Sequence, residues 1–338
     1  MQGLRLETLL QLLGLDTESL GKINLGDSPN TGSLELREEI AKLHPGALSE
    51  NVLVTTGTSE GLFLFFSEIL RQGDKVGYYS PAFQSLYEIP LGLGAELYGI
   101  PVAGEGHLPI PNRKDFKLFI CNHPHNPTGL GFGNKFKELW THYLQSYSGY
   151  LLFDEHYRFL PHEPSISLLP TGAFLNEKTF VTGSCIKCFG ITGLRVGWII
   201  GSPDLLKVLR QKKDYTTHTV SPISEFLVTE VMRQRQKFQD LAISRILKNL
   251  EIWDFYAKEL PGIQSFQRPE GGLVIWVQLD SKIPSAIYAD HLYEKTGVFV
   301  LPGSDFETEG YLRIGLGEET ERFEKGLERW RQMKFLAG

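Results

Sequence analysis

The stretch SCIKCFGITGLRVGWIIG, at residues 184–201, combines a reactive side chain, glycine-rich turns and an apolar run. Lys187 lies three residues after Ser184, and Arg195 follows eight residues after the lysine. Glycines within the stretch allow the backbone to turn tightly around a ligand. The run VGWII then predicts a short buried strand. A lone lysine in a loop is usually a solvated charge, so a function for Lys187 needs support from elsewhere in the chain.

Two stretches upstream supply side chains of complementary chemistry. LLFDEHY, at residues 151–157, is an apolar strand that ends in an acid, Asp154. NHPHNPTG, at residues 122–129, carries Asn126 in a turn-forming Asn-Pro pair. Motifs of this length are weak evidence alone, but their fixed order along the chain makes the combination specific.

Together these stretches resemble the class I/II aminotransferases, which are pyridoxal-phosphate (PLP) enzymes of fold type I. The matching patterns are NPTG, D-E-x-Y, S-x-x-K and G-L-R-V-G, and the resemblance extends from about Gly32 to the C-terminus. It implies an α/β fold: a large domain with a mostly parallel sheet of the seven-stranded type between helices, plus a smaller α+β domain. We expect the large PLP-binding domain at residues 30–235 and the small domain at residues 1–29 and 236–338.

The periodicity of apolar residues supports this architecture. Short apolar strands alternate with helical patterns as far as Lys213, which indicates βαβ units and a parallel sheet. Among these, FQSLYEI predicts a helix that ends near Pro90, and residues 134–147 predict an amphipathic helix. Beyond Lys213, two long helical patterns precede three strands, one of them GVFVL at residues 297–301.

The composition excludes several classes of partner. The 338 residues are 41% hydrophobic and 22% charged with a net charge of −6, and no basic block is present, so nucleic acid is not expected as a partner. No apolar run is long enough to span a bilayer, and the N-terminal segment lacks the pattern of a signal peptide. An odd, low cysteine count favours a reducing compartment and a cytoplasmic location, and no metal site is expected. The cysteines are Cys121, Cys185 and Cys188.

The first part of the expected cofactor site is a phosphate cradle. GTSEG, between a predicted strand and helix, supplies Gly57, Thr58 and Ser59. The first turn of a helix offers free N–H groups to an anion, although an ordinary helix cap would use the same residue types. The resemblance implies that this turn binds the PLP phosphate, with Ser184 and Arg195 as further ligands.

The second part is the set of side chains around the cofactor ring. By resemblance, Asp154 keeps the ring nitrogen protonated, which the cofactor needs in order to accept electrons. Tyr157 and Asn126 match residues that bond the ring hydroxyl, and Phe83 matches the aromatic residue that stacks on the ring. For Asn126 and Phe83, turn formation and core packing remain alternative explanations.

The resemblance also assigns the chemistry. Lys187 matches the lysine that binds the cofactor aldehyde and carries a proton between the substrate Cα and the cofactor, so Lys187, Asp154 and Tyr157 form the expected catalytic set. Arg313, in YLRIGLG, matches the arginine that clamps the substrate carboxylate, with Asn126 beside it. A surface-strand arginine is the alternative. The implied reaction is transamination between an L-amino acid and a 2-oxo acid.

The match fails near the N-terminus. Family members carry a tyrosine five residues before the glycine of G-x-x-x-L-R, and it reaches across a homodimer to the neighbour's cofactor phosphate. Here that glycine is Gly32, five residues before it is Asp27, and no tyrosine occurs before Tyr78. Asp27 is therefore a candidate contact for a cationic or hydrogen-bond-donating substrate, or it simply caps a turn. The resemblance and the polar TTHT run after Tyr215 imply a homodimer with active sites at its interface.

Two other functions use the same residues. One is a PLP-dependent lyase or cyclase that acts on an amino-acid side chain, since KDYTTHTVSPISE at residues 213–225 shows a weaker similarity to capreomycidine-synthase-like members. The other is a PLP-binding sensor domain without catalysis. The filled catalytic positions, and the lack of a DNA-binding domain before residue 30, argue against the sensor.

Overall fold

The structure is a computed structural model that describes residues 1–102, 108–132, 138, 140, 142–143, 146–163, 177–280 and 283–334. The amphipathic helix expected at 134–147 lies largely outside these residues. No helix in the described part of the chain is long and apolar enough to cross a membrane.

A seven-stranded sheet forms the centre of the larger domain. Its strands are β1 (Val52–Thr55), β2 (Lys75–Ser80), β3 (Glu96–Pro101), β4 (Leu118–Asn122), β5 (Tyr150–Asp154), β6 (Thr179–Gly183) and β7 (Gly197–Ile200). The order is β1-β7-β6-β5-β4-β2-β3, and β7 runs antiparallel to both of its neighbours, β1 and β6. The central strands are buried along nearly their whole length, as expected for a parallel sheet covered on both faces.

Two apolar clusters cover the two faces of this sheet, and helices from along the chain contribute side chains to them. The helices are α1 (Leu6–Leu13), α2 (Thr17–Gly21), α3 (Leu34–Ala41), α4 (Thr58–Ile69), α5 (Glu88–Gly92), α6 (Pro203–Lys213), α7 (Pro222–Arg233), α8 (Arg235–Tyr256), α9 (Ser285–Thr296) and α10 (Thr320–Arg331). Side chains of one strand alternate between the clusters: Leu152 packs in the cluster with α4, and Phe153 in the other. Both faces of β5 are therefore buried.

A second, smaller sheet is antiparallel throughout. Its strands, in the order β10-β11-β9-β8, are β8 (Ile263–Gln267), β9 (Val274–Leu279), β10 (Leu301–Pro302) and β11 (Tyr311–Gly315). Apolar residues of β9 and β11 belong to the same cluster as Phe153, so the two sheets share a core. The expected fold class, a large α/β domain with a mostly parallel sheet and a smaller α+β domain, is confirmed.

Two local expectations were wrong. FQSLYEI forms a 3₁₀ turn at Gln84–Leu86 followed by the short helix α5, in which Pro90 is the third residue and not the terminator. Proline is tolerated there because the first N–H groups of a helix have no intrahelical acceptor to lose. In GVFVL, only Leu301 is in a strand, since Gly297 ends α9 in the left-handed conformation and the next three residues have no pairing partner strand.

Candidate active site

One cavity lies at the carboxyl ends of β4 and β5, where parallel sheets place their ligands. It is lined by Gly57, Thr58, Ser59, Leu62, Phe83, Asn122, Asn126, Asp154, His156, Tyr157, Ile186, Lys187 and Arg195. Nine of the residues expected from the sequence therefore come together. Ser184, Arg313 and Asp27 are not among the lining residues.

Asp154 is the last residue of β5 and is almost fully buried. Its carboxylate accepts hydrogen bonds from Thr182 Oγ1 at 3.0 Å and from Asn122 Nδ2 at 2.9 Å. Burial raises the pKa of Asp154 to about 6, against the opposing effects of the Thr182 hydrogen bond and the Lys187 charge. At neutral pH the group is an anion held in a fixed orientation and ready for a cationic partner.

A chain of amide contacts connects Asp154 to the second sheet. Asn122 Oδ1 accepts from the backbone N–H of Asn126 at 2.6 Å, and Asn126 Oδ1 accepts from Arg313 Nη1 at 3.0 Å. Arg313 lies on β11 opposite Trp276, and its guanidinium carbon is 5.0 Å from the centroid of the Phe306 ring. The arginine thus reaches the margin of the cavity from the smaller domain, with donors left over for a carboxylate.

Lys187 and Tyr157 both line the cavity, and burial shifts the pKa of each side chain. Burial lowers the pKa of Lys187, and the Arg313 charge adds to this, whereas Asp154 opposes it. The ammonium lies 5.1 Å from the centroid of the Phe83 ring. Burial also raises the pKa of Tyr157 to about 12, so its phenol keeps its proton and remains a donor.

The N-terminus of α4 and the Arg195 guanidinium form a cradle at one end of the cavity. Gly57 precedes the helix at φ 78°, and Arg195 has φ 52°, a left-handed conformation that is uncommon outside glycine. A Cβ on Gly57 would lie 2.9 Å from Arg195 Nη2. The space between them is therefore kept open by the absence of a side chain, beside unpaired helix N–H groups.

Two expected site residues lie elsewhere. Ser184 is fully buried, and its hydroxyl donates to the Val196 carbonyl at 2.7 Å while it accepts from the Ile186 N–H at 3.2 Å. A phosphate contact would require the hydroxyl to release Val196, so that role stays a prediction. Asp27 is exposed, and its role as a substrate contact also stays a prediction.

Sequence reasoning missed three polar residues of the site. Thr182 and Asn122 lie at the carboxyl ends of β6 and β4, a position that could have been recognised once the strand order was known. His156 lies between the matched Asp154 and Tyr157, but nothing in the resemblance drew attention to it. Its Nδ1 is 3.4 Å from Thr58 Oγ1.

Comparison with known proteins identifies the family of this chain. The family model described as "Aminotransferase class I and II" matches residues 24–329, which is most of the chain. The chain belongs to this family. It is a PLP-dependent aminotransferase, as the sequence analysis expected.

Individual relatives support the same family assignment. The chain is 28% identical to the aspartate aminotransferase of Pyrococcus horikoshii over 89% of this chain and 83% of the relative. It is 26% identical to the capreomycidine synthase of Streptomyces vinaceus over 93% of this chain and 82% of that protein. A PLP-dependent aminotransferase from Streptococcus suis superimposes with a TM-score of 0.89 at 27% identity, covering 98% of this chain and 90% of that one.

The residues of the cavity fit the family's cofactor, PLP. The open cradle between Gly57 and Arg195 offers helix N–H groups and a guanidinium, the donors that a phosphate requires. His156, a residue of the cavity wall, also has a buried nitrogen, Nε2, with no hydrogen-bond partner among the described residues. Buried polar atoms of this kind are rare in a finished core and are typical of a site that a ligand completes.

Proposed function

We propose that this aminotransferase uses Lys187 as the residue that binds the cofactor and moves the proton at the substrate Cα. The observation that carries the proposal is the meeting of Lys187, Asp154 and the α4 N-terminus in one cavity. An amine, an acid and a helix N-terminus thus line a single cavity. Gly57–Ser59 and Arg195 then hold the phosphate, and Phe83 covers the ring.

Lys187 is suited to proton transfer because burial makes its amine easier to deprotonate. A neutral amine is both a nucleophile toward an aldehyde and a base toward an activated C–H bond. The amine lies over the aromatic face of Phe83, which also lines the cavity. The same group can return the proton, so a single residue serves as base and acid.

Asp154 has the opposite role to Lys187: it supplies a negative charge that stays in place. The Thr182 and Asn122 hydrogen bonds fix the carboxylate, so a protonated ring nitrogen would meet an anion that needs no reorganisation. PLP, when bound, provides an electron sink for the charge left at the substrate Cα. Tyr157 and Asn126 are proposed to contact the ring hydroxyl.

Arg313 is proposed to bind the substrate α-carboxylate together with Asn126. The 3.0 Å bond between Arg313 Nη1 and Asn126 Oδ1 fixes one edge of the guanidinium and leaves other donors for the substrate. A clamped carboxylate fixes the torsion about the Cα bonds. This selects the Cα–H bond for cleavage, which is what transamination requires.

The wider assignments follow from the family. The substrates are proposed to be an L-amino acid and a 2-oxo acid, and the protein a cytoplasmic homodimer. The domain division at residues 30–235 against 1–29 and 236–338 is proposed unchanged. Asp27 is proposed to contact a basic or donor-rich substrate side chain, and Ser184 to assist phosphate binding.

Reduction with borohydride tests the attachment residue. The purified protein should be yellow, and borohydride should fix one pyridoxyl group on the peptide that contains Lys187. The Lys187→Ala variant should give no adduct, because no other amine lines the cavity among the described residues. Peptide mapping by mass spectrometry reads the result, and label on a different lysine would overturn the proposal.

A lyase or cyclase acting on an amino-acid side chain is the second candidate. The observation in its favour is the similarity to capreomycidine synthase, at nearly the same identity as to an aspartate aminotransferase. A panel of amino acids with 2-oxoglutarate or pyruvate separates the two functions. Transamination forms glutamate or alanine and needs the oxo acid, whereas elimination releases ammonia without it, and cyclisation alters the donor without either.

A further inference from the structure

His156 is a buried imidazole in the wall of the cavity that the proposed roles leave unused. Its side chain and that of Thr58 are both 9% exposed. Its Nδ1 is 3.4 Å from Thr58 Oγ1, and its Nε2 has no hydrogen-bond partner among the described residues. Within the described part of the chain, the ring's polar contact is therefore the one to Thr58.

An imidazole at this place has a cost that an apolar side chain of similar shape would avoid. A buried nitrogen without a partner loses its hydration and gains nothing in return. Burial also lowers the pKa of His156 well below its ordinary value, and the Lys187 and Arg195 charges lower it further. The ring is accordingly neutral, with one N–H donor and one lone pair to allocate.

We propose that His156 is a positioning residue, whose Nδ1–H donates to Thr58 Oγ1 and thereby directs the Thr58 hydroxyl proton toward the cofactor phosphate. This inference rests on the proposed phosphate cradle at the start of α4. A phosphate dianion accepts hydrogen bonds and donates none, so Thr58 can serve it only as a donor. The Thr58 oxygen is then free to accept from a donor of its own, and His156 Nδ1 lies 3.4 Å from it.

The length of the contact between His156 Nδ1 and Thr58 Oγ1 leaves room for the hydrogen bond to shorten when the phosphate binds. At 3.4 Å it is longer than an ordinary N–H···O hydrogen bond, which spans about 2.7–3.2 Å. When the Thr58 hydroxyl donates to an anion, its oxygen becomes a better acceptor, because linked hydrogen bonds polarise one another. The contact is expected to shorten in the cofactor complex, which a crystal structure of the holoenzyme would measure.

Two matched variants test the hydrogen bond apart from the packing. His156→Asn keeps a polar atom near the position of Nδ1, whereas His156→Leu has the same branching without one. Titration of the apoprotein with PLP, followed by absorbance, gives the Kd. We expect His156→Leu to bind PLP roughly three- to tenfold more weakly than wild type, the range for loss of one neutral hydrogen bond, and His156→Asn to stay near wild type.

Thr58→Val supplies the second arm of the experiment. If His156 acts through Thr58, the difference between the Asn and Leu variants should vanish in the Thr58→Val background, since coupled residues are not additive. Equal Kd values for the two His156 variants, or an undiminished difference without the hydroxyl, would overturn the inference. Borohydride labelling of each variant distinguishes failure of this inference from failure of the proposed function. If the label is on Lys187 but the two His156 variants have equal Kd values, the role of His156 is wrong and the proposed function still holds.

The tautomer of the ring gives an independent measurement on the unaltered protein. With ¹⁵N-labelled histidine, the His156 signals, assigned by their loss in His156→Asn, should show a neutral ring protonated at Nδ1 in the holoenzyme. A ring protonated only at Nε2, or a charged ring, would contradict the direction of the hydrogen bond.

Discussion

Asp154 and Arg195 carry opposite charges at opposite ends of the proposed cofactor, so their substitutions should have different effects. Asp154→Asn should retain the cofactor but lose turnover, because the ring nitrogen no longer has an anion to keep it protonated. Arg195→Ala should mainly weaken binding, by about 1.5–3 kcal/mol for a charge-assisted phosphate contact. Cofactor content and kcat, measured on both variants, check the assignment; equal loss of cofactor in the two would refute it.

The pH dependence of turnover follows from the same carboxyl group. With a pKa of about 6 in the protein, the carboxyl group is half protonated near pH 6, and the anion is lost as the pH falls further. A cationic ring nitrogen favours the charged form and moves this pKa downward. Turnover of the wild type should therefore decline on the acid side of about pH 6, and the small residual turnover of Asp154→Asn should lack that decline. An identical acid limb in the variant would show that another group is responsible.

Residue by residue, the sequence predicted the groups that the family's chemistry requires and missed the groups that support them. Asp154 and Lys187 stand in motifs with fixed neighbours, so they could be found by pattern. Thr182 could not, because its role depends on β6 lying beside β5, which becomes known only when the strands are paired. His156 was missed for a different reason, since a histidine beside a matched acid has no pattern of its own.

At the level of secondary structure, the junction between β1 and α4 is the element most sensitive to change. Gly57→Ala should introduce a methyl group close to Arg195 and force an alanine into φ 78°. The strain costs about 1 kcal/mol or more, and the displaced guanidinium should weaken cofactor binding as well. Titration with PLP and thermal unfolding would measure the two effects separately.

Gly14 offers the matched control for that substitution. It ends α1 at φ 70°, but no atom lies within 4 Å of the position that a Cβ would take. Gly14→Ala should therefore lower the unfolding temperature through backbone strain and leave the affinity for PLP unchanged. Equal affinity for PLP in both alanine variants would show that the opening at Gly57 is not needed by the ligand.

The elements that sequence periodicity predicted best are those buried on both faces. Strands such as β4, β5 and β6 are apolar runs of the expected length. The antiparallel direction of β7 could not be foreseen, because a run buried on both faces looks the same in either orientation. The strand β8 was missed because it lies at the edge of its sheet and is largely exposed, without an apolar face to reveal it.

At the scale of the whole molecule, the reason for expecting a dimer changes. The TTHT run was expected to need a partner, but Thr216 and Thr217 donate to Glu60 within the chain. The same loop nevertheless holds Tyr215 with 92% of its surface exposed, and α4 exposes 48% of Phe63 one turn after Glu60. Because Thr216 and Thr217 connect this loop to α4, the two exposed aromatic side chains belong to adjoining segments, and we expect another molecule to cover them.

We expect that molecule to be a second copy of the chain. Phe63→Asp should place a charge in the expected interface, shift the protein toward monomer and lower activity, since the resemblance implies active sites at the dimer interface. Phe255→Asp is the control: Phe255 is 67% exposed but lies in the last turn of α8, outside the cavity wall. Sedimentation at micromolar concentration should show a dimer for wild type and Phe255→Asp only. A fully active wild-type monomer would exclude the dimer as the functional form, and an intact Phe63→Asp dimer would place its interface elsewhere.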